Sequence, residues 1–334
     1  VKRRAFLTGA ALGVVAAAAI PAPAYASSGL VYDPSYKTAH LYEYGNPVPA
    51  QALTPERGLT MQDFALPAGG NYFVTQGETV ADGSENTLIS RLDSSGRTLD
   101  FMRLIGAGHG IGLEVEYRSG VPWLYLNWHG ASAYSGWRTN DYVRLSWYPN
   151  IAGRPTGWER GTCNQQFGLE VLPVQDPEML VKVDWFRRFA VCKHYDSAGN
   201  DVFTRRRLDD MLAGVDDPLE RITVPIAGAT LQGFGTVNDT LYKYSGAGAD
   251  GGVMSASDPI RIQSWDWNTQ QPIADHTYPT LGQVNGAWRD GHAEPEGMTA
   301  YRSSDGYTQL LVGVVTGTTS GHRWQTYRFA DIGI

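Results

Sequence analysis

Histidines, carboxylates and arginines set among aromatic rings are the residue types in this chain with chemistry to offer. His109 and His129 carry imidazoles, whose ordinary pKa of about 6.5 suits proton abstraction. Asp63, Glu294 and Glu296 are carboxylates, and two such groups held about 5 to 9.5 Å apart serve glycoside hydrolysis. The segment from Trp128 to Arg138 gathers Trp128, Tyr134, Trp137 and Arg138. Rings of this kind pack on sugar faces, and arginine pairs with a carboxylate or phosphate. Phe186-Arg187-Arg188 repeats the combination in short form. The set fits an anionic glycan as ligand; the competing reading is that the rings cover strand edges and the arginines face solvent.

What positions these groups is a repeat. Aromatic and β-branched alternation fills the chain, and no run at helical spacing follows the N-terminal segment, so the fold class is all-β. One short pattern recurs, with a polar residue three places before a small one: Gln62 to Ala65, His109 to Gly112, Gln165 to Gly168, Gln232 to Gly235 and Glu294 to Gly297. The small residues lie 47, 56, 67 and 62 positions apart, a blade-like interval. An alternating apolar strand follows each copy, then a third strand, a polar turn such as Asp196-Ser197-Ala198-Gly199-Asn200, and a fourth strand. Four antiparallel strands in five copies predict a five-bladed β-propeller. A β-sandwich gives no reason for five matching segments.

In a propeller the first strand of each blade lines the central channel. Gln62, His109, Gln165, Gln232 and Glu294 are therefore expected in a ring at one mouth, beside the loops that join second to third strands. By this frame both Trp128–Arg138 and Phe186–Arg188 lie on that same face. The alternative for the ring is hydrogen bonding among its own members or to channel water. The segment 38–44 precedes the first copy and is expected to close the last blade as its outer strand.

Gly108-His109-Gly110-Ile111-Gly112 followed by a strand resembles the β-propeller of proteins labelled teichoic acid biosynthesis protein C and of a related phage receptor-binding protein. That resemblance implies contact with cell-surface glycopolymers, whether or not they are cleaved. The site is also similar to that of propeller polysaccharide lyases, in which two histidines stand on neighbouring strands with a Tyr and an Arg nearby. This second resemblance implies β-elimination on a uronate-containing glycan. His109 or His129 is then the base, Arg188 or Arg138 stabilises the developing enolate, and Tyr134 protonates the leaving oxygen. Gln62, Gln165, Gln232, Glu294, Trp128, Trp137 and Arg138 bind substrate in this reading. A hydrolase using Asp63, Glu294 and Glu296 is the enzymatic alternative, and a binding protein that turns nothing over is the other. No cofactor is required, although Glu296 with carbonyl or amide oxygens suits a divalent cation such as calcium.

Composition bounds the setting. Val1-Lys2-Arg3-Arg4-Ala5-Phe6-Leu7, an alanine-rich run and Ala24-Tyr25-Ala26 read as a twin-arginine signal peptide over 1–26, leaving 27–334 as one propeller domain working outside the cell. Removing three basic residues leaves 24 against 34 acidic ones and moves the net charge from -7 to -10. That balance argues against nucleic acid as a partner. No later segment reaches the roughly 20 apolar residues needed to span a bilayer, so no membrane insertion is expected. Cys163 and Cys192 are either a disulfide or two buried thiols; they are not a C-x-x-C pair.

Overall fold

The computed structural model describes residues 32–43, 60–67, 70–79, 85–93, 98–128, 141–149, 157–174, 179–225, 230–246, 260–279, 281–282, 293–302, 308–316 and 323–329. Its first strand is β1 (Tyr32–Glu43). Blade one follows as β2 (Thr60–Ala65), β3 (Tyr72–Thr79), β4 (Glu85–Leu92) and β5 (Thr98–Ile105). Blade two holds β6 (Glu114–Arg118), β7 (Val121–Trp128) and β8 (Asp141–Ser146). After it come β9 (Trp158–Glu159), α1 (Arg160–Gln166) and β10 (Glu170–Val171). The short β9 adds in parallel to the edge of blade one, and β10 completes blade two. Blade three is β11 (Leu180–Asp184), β12 (Phe189–Tyr195), β13 (Asp201–Arg207) and, after α2 (Leu208–Leu212), β14 (Glu220–Val224). Blade four is β15 (Leu231–Val237), β16 (Thr240–Ser245), β17 (Ile260–Asp266) and β18 (Pro272–Tyr278). Blade five is β19 (Ala293–Arg302), β20 (Thr308–Thr316) and β21 (Arg323–Phe329), and β1 pairs antiparallel with β21 as its outer strand. The chain thus forms the expected five-bladed propeller, closed by the segment expected to close it.

Period-two alternation here buries both faces of a blade, because each sheet is sandwiched between two others. In β20, Leu310, Val312 and Val314 pack toward blade four, while Leu311 and Val315 pack toward blade one. Each of the five blade interfaces carries its own apolar cluster. Between blades one and two, Phe73 meets Trp147 edge-on at 5.2 Å. Between blades five and one, Phe64 meets Trp324 at 4.9 Å. The Asp196–Asn200 turn is held by Asp196 Oδ1, which accepts the N–H groups of Ala198 (2.9 Å) and Asn200 (2.8 Å).

Two parts of the expected frame are displaced. In the third copy, Gln165-Gln166-Phe167-Gly168 is not an innermost strand: Gln165 is exposed on α1. Phe167 instead docks that helix into the cluster between blades one and two, stacked on Tyr148 at 4.7 Å. The innermost strand of blade three is β11, so each strand of that blade stands one place further in than its sequence position implies, and β14 completes it. In blade five the register is offset. Bulges interrupt β2 between Met61 and Asp63, β15 between Leu231 and Gly233, and β19 between Pro295 and Met298. Gln62 and Gln232 sit at their bulges, and the residue in that place in β19 is Glu296, not Glu294.

The two cysteines are free and buried in different interfaces. Cys163 packs between blades one and two, and Cys192 between blades two and three with its Sγ 3.9 Å from Met211 Sδ. No bridge joins them.

Candidate functional site

The innermost strands run in one sense around the channel, so they begin at one mouth, the upper, and end at the other, the lower. Inside, Asp63 ties four blades together. Its Oδ2 accepts the N–H groups of Gly112 and Leu113 at 2.9 Å each, and Oδ1 accepts that of Phe64 at 2.8 Å. Lys182 of blade three places Nζ 2.8 Å from Asp63 Oδ2 and donates to Leu113 O at 3.0 Å. From blade five the bulge at Gly297 presses in: at φ +74° and with a Cβ position 2.7 Å from Asp63 Oδ1, only glycine fits there. Gly112 obeys the same rule, at φ +76° with a Cβ position 2.2 Å from Asn127 Oδ1.

Next to this hub, Glu114 lies 3.9 Å from Lys182 Nζ and accepts the indole N–H of Trp185 at 2.9 Å. Burial pushes its carboxyl up to about 7, against the pull of Lys182 and the Trp185 hydrogen bond. Glu296 is buried as well. Desolvation, reinforced by Glu294 and Asp63, holds it well above the usual carboxylate range. Among the described residues no three His, Cys, Asp or Glu side chains are arranged to hold a metal ion.

At the upper mouth, His109 Nδ1 lies 3.0 Å from Glu85 Oε2, and its ring rests on Gly77. Burial raises the Glu294 carboxyl, with His109 pulling the other way. Gln62 is buried and Gln232 half-buried at their bulges. Trp128, the last residue of β7, is 1% exposed in the core between blades one and two, so its ring offers no surface to a substrate. His129, Tyr134, Trp137 and Arg138 lie outside the described residues.

The lower mouth holds a cavity of about 390 Å³ whose wall includes Tyr117, Trp185, Phe186, Arg188, Tyr301 and Arg302. Each comes from the end of an innermost strand or the turn after it. Asp184 fixes the turn after β11 by accepting the N–H groups of Phe186 (3.1 Å) and Arg187 (2.9 Å). Arg188 leaves that turn at φ 56° and forks onto Asp209, with Nε at 3.0 Å. Trp185 packs against Tyr125 at 5.3 Å. Phe186 is 63% exposed, and the Arg302 guanidinium lies over its ring at 3.6 Å. An aromatic face capped by a guanidinium suits a sugar ring that bears or neighbours an anionic group.

This geometry separates His109 from Arg188. The turn carrying Arg188 joins the first and second strands of blade three, not the second and third, and so emerges at the lower mouth. His109 precedes β6, whereas Tyr117 near the end of β6 shares the cavity with Arg188; a five-residue strand spans about 15 Å. The base and charge stabiliser of a β-elimination must meet one substrate centre, and these two do not. Gln165, on α1 outside the channel, drops from the expected ring, and Lys182 contributes the inward polar group of blade three. Sequence reasoning missed the Asp63–Lys182–Glu114 cluster and the lower cavity. The available signal was the run Asp184-Trp185-Phe186, a turn-forming Asp followed by two aromatic rings, with Tyr301-Arg302 closing the last innermost strand.

A family profile described as a phage 5-bladed beta propeller receptor binding platform domain matches residues 61–327. A Bacillus subtilis (strain 168) protein named as a major teichoic acid biosynthesis protein C is 27% identical over 253 residues, covering 74% of this chain and 53% of that protein. The tail fiber of Staphylococcus aureus phage P68 superposes with a TM-score of 0.66 at 20% identity, over 83% of this chain and 51% of the fiber. The chain spans about half the length of these two relatives. A GH43_1 enzyme from Xanthomonas citri reaches a TM-score of only 0.46 at 8% identity, over 83% of this chain and 89% of the enzyme, a likeness too slight to argue from.

Proposed function

The chain belongs to the phage five-bladed β-propeller receptor-binding platform family, and on that premise we propose that it binds a cell-surface glycopolymer at the lower mouth without cleaving it. The observation that carries this reading is the cavity in which Phe186, Trp185, Tyr117 and Tyr301 offer rings and Arg302 and Arg188 offer guanidinium groups. Its size suits one sugar or polyol unit with its attached anionic group. Export through the twin-arginine pathway, carried by Arg3-Arg4-x-Phe6-Leu7, puts the site where such polymers are.

Catalysis has less behind it. Of the expected lyase pairings, His109 with Arg188 would have to act from opposite ends of the channel, and His129, Tyr134 and Arg138 lie outside the described residues. For hydrolysis, Asp63 is already occupied by three N–H groups and Lys182. Glu294 and Glu296 would have to do the work alone.

The test is calorimetry of the secreted protein with poly(glycerol phosphate) and with oligogalacturonate, each followed for unsaturated products and new reducing ends. Binding of one polymer without product is expected, and Phe186→Ala and Arg302→Ala should each weaken it about tenfold. Turnover of either polymer, or binding untouched by both substitutions, would refute the reading.

A further inference from the structure

Beyond the cavity, the blade-two wall that faces blade three carries a second array of guanidinium groups and rings. Tyr125, whose ring meets Trp185 of the cavity wall at 5.3 Å, lies directly opposite Arg144 in the β7–β8 ladder. Arg144 sits 5.9 Å from the Tyr125 ring and 5.7 Å from the Trp123 ring. Arg118, at the end of β6, lies 5.3 Å from Trp123 and 6.0 Å from Tyr125. It also donates to the Tyr125 hydroxyl at 2.6 Å, and that hydroxyl donates to Glu116 Oε2 at 2.9 Å. The rings hold both guanidinium planes in place. Their carboxylate partners differ: Glu116 is largely buried beside Arg118, whereas Glu170, the partner of Arg144, is 54% exposed on the two-residue β10.

We infer that Arg118 and Arg144, stacked on Trp123 and Tyr125, form a second anion subsite contiguous with the cavity, which takes the charged group of the neighbouring repeat unit. This rests on the glycopolymer reading and deepens it: the propeller reads at least two consecutive units of an anionic polymer. Glu170 holds the place of the ligand anion until the polymer arrives. Arg144 is itself only 16% exposed, so the exchange is open on the Glu170 side, where that carboxylate can turn into solvent as the ligand anion takes its place. Arg144 offers the planar fork that suits phosphate and carboxylate alike.

The experiment uses the whole protein with poly(glycerol phosphate) and with oligogalacturonate, each as a single repeat unit and as a decamer; the two chemistries distinguish a phosphate from a carboxylate. The wild type should prefer the decamer beyond the statistical gain from its extra units. Arg144→Gln should weaken decamer binding about tenfold and leave the single unit unchanged. Glu170→Gln, on an exposed edge, should tighten decamer binding about threefold by releasing Arg144; it decides alone if the arginine variant fails to fold. Equal effects on single unit and decamer, or no effect of Glu170→Gln, would overturn the subsite while leaving the cavity reading intact. Failure of both polymers to bind at any length would overturn the two together.

Discussion

Replacing Glu114 with Gln should make the protein less sensitive to alkaline pH, by an amount that follows from the burial of this side chain. The Glu114 carboxyl is pushed from 4.5 in the unfolded chain to about 7 in the folded one. Below the lower value it is protonated in both states and pH does not matter. As pH rises past it, ionisation is available to the unfolded chain and denied to the folded one, so stability falls until the folded carboxyl also ionises. The full loss is about 3 kcal/mol, of which about 2.5 kcal/mol falls between about pH 5 and about pH 8. Glutamine cannot ionise, yet its amide oxygen can still accept the Trp185 indole N–H. Urea unfolding followed by tryptophan fluorescence at the two pH values gives the free energies for both proteins. The wild type should lose about 2.5 kcal/mol more than the variant across that interval. Other buried carboxyls, Glu296 and Glu294 among them, act equally on both proteins and cancel in the difference. Parallel pH profiles would show that Glu114 does not titrate in this range and would refute the reasoning.

Two further outcomes follow from the interior. Asp63→Ala strands the Lys182 ammonium and three N–H groups, and should cost about 3 to 5 kcal/mol in chemical denaturation; a loss below about 1 kcal/mol would mean that the four-blade hub does not hold the channel. Reductant should leave the melting temperature unchanged, and a thiol reagent should count two reactive sulfurs only after unfolding; a drop in melting temperature on reduction would contradict the separate burial of Cys163 and Cys192.

The five-bladed plan was legible because it rests on local rules repeated along the chain. Alternation marks the strands, and polar or glycine-bearing segments such as Asp196–Asn200 mark the turns. The spacing of the repeats gives the blade count. The recurrence of Gln62 and Gln232 was also legible, and the structure puts a bulge at each, in β2 and β15. Gln165 misled because Gln-Gln-Phe-Gly has the composition of the repeat without its place. A Phe in that pattern can anchor a strand or, as Phe167 does, dock a short helix. Only the packing against Tyr148 and Trp158 distinguishes the two.

The slip of one strand had a functional consequence. Adjacent strands run in opposite directions, so assigning the Phe186–Arg188 turn to the wrong pair sent Arg188 to the wrong mouth. By itself the sequence determined the repeat and the blade count, since each depends on near neighbours in the chain. Tertiary structure decided which residues meet. The hub joins Asp63 to Lys182, and the lower cavity joins Tyr117 to Phe186 and Arg302. Those contacts exist only because closure of the propeller brings the ends of distant innermost strands around one axis.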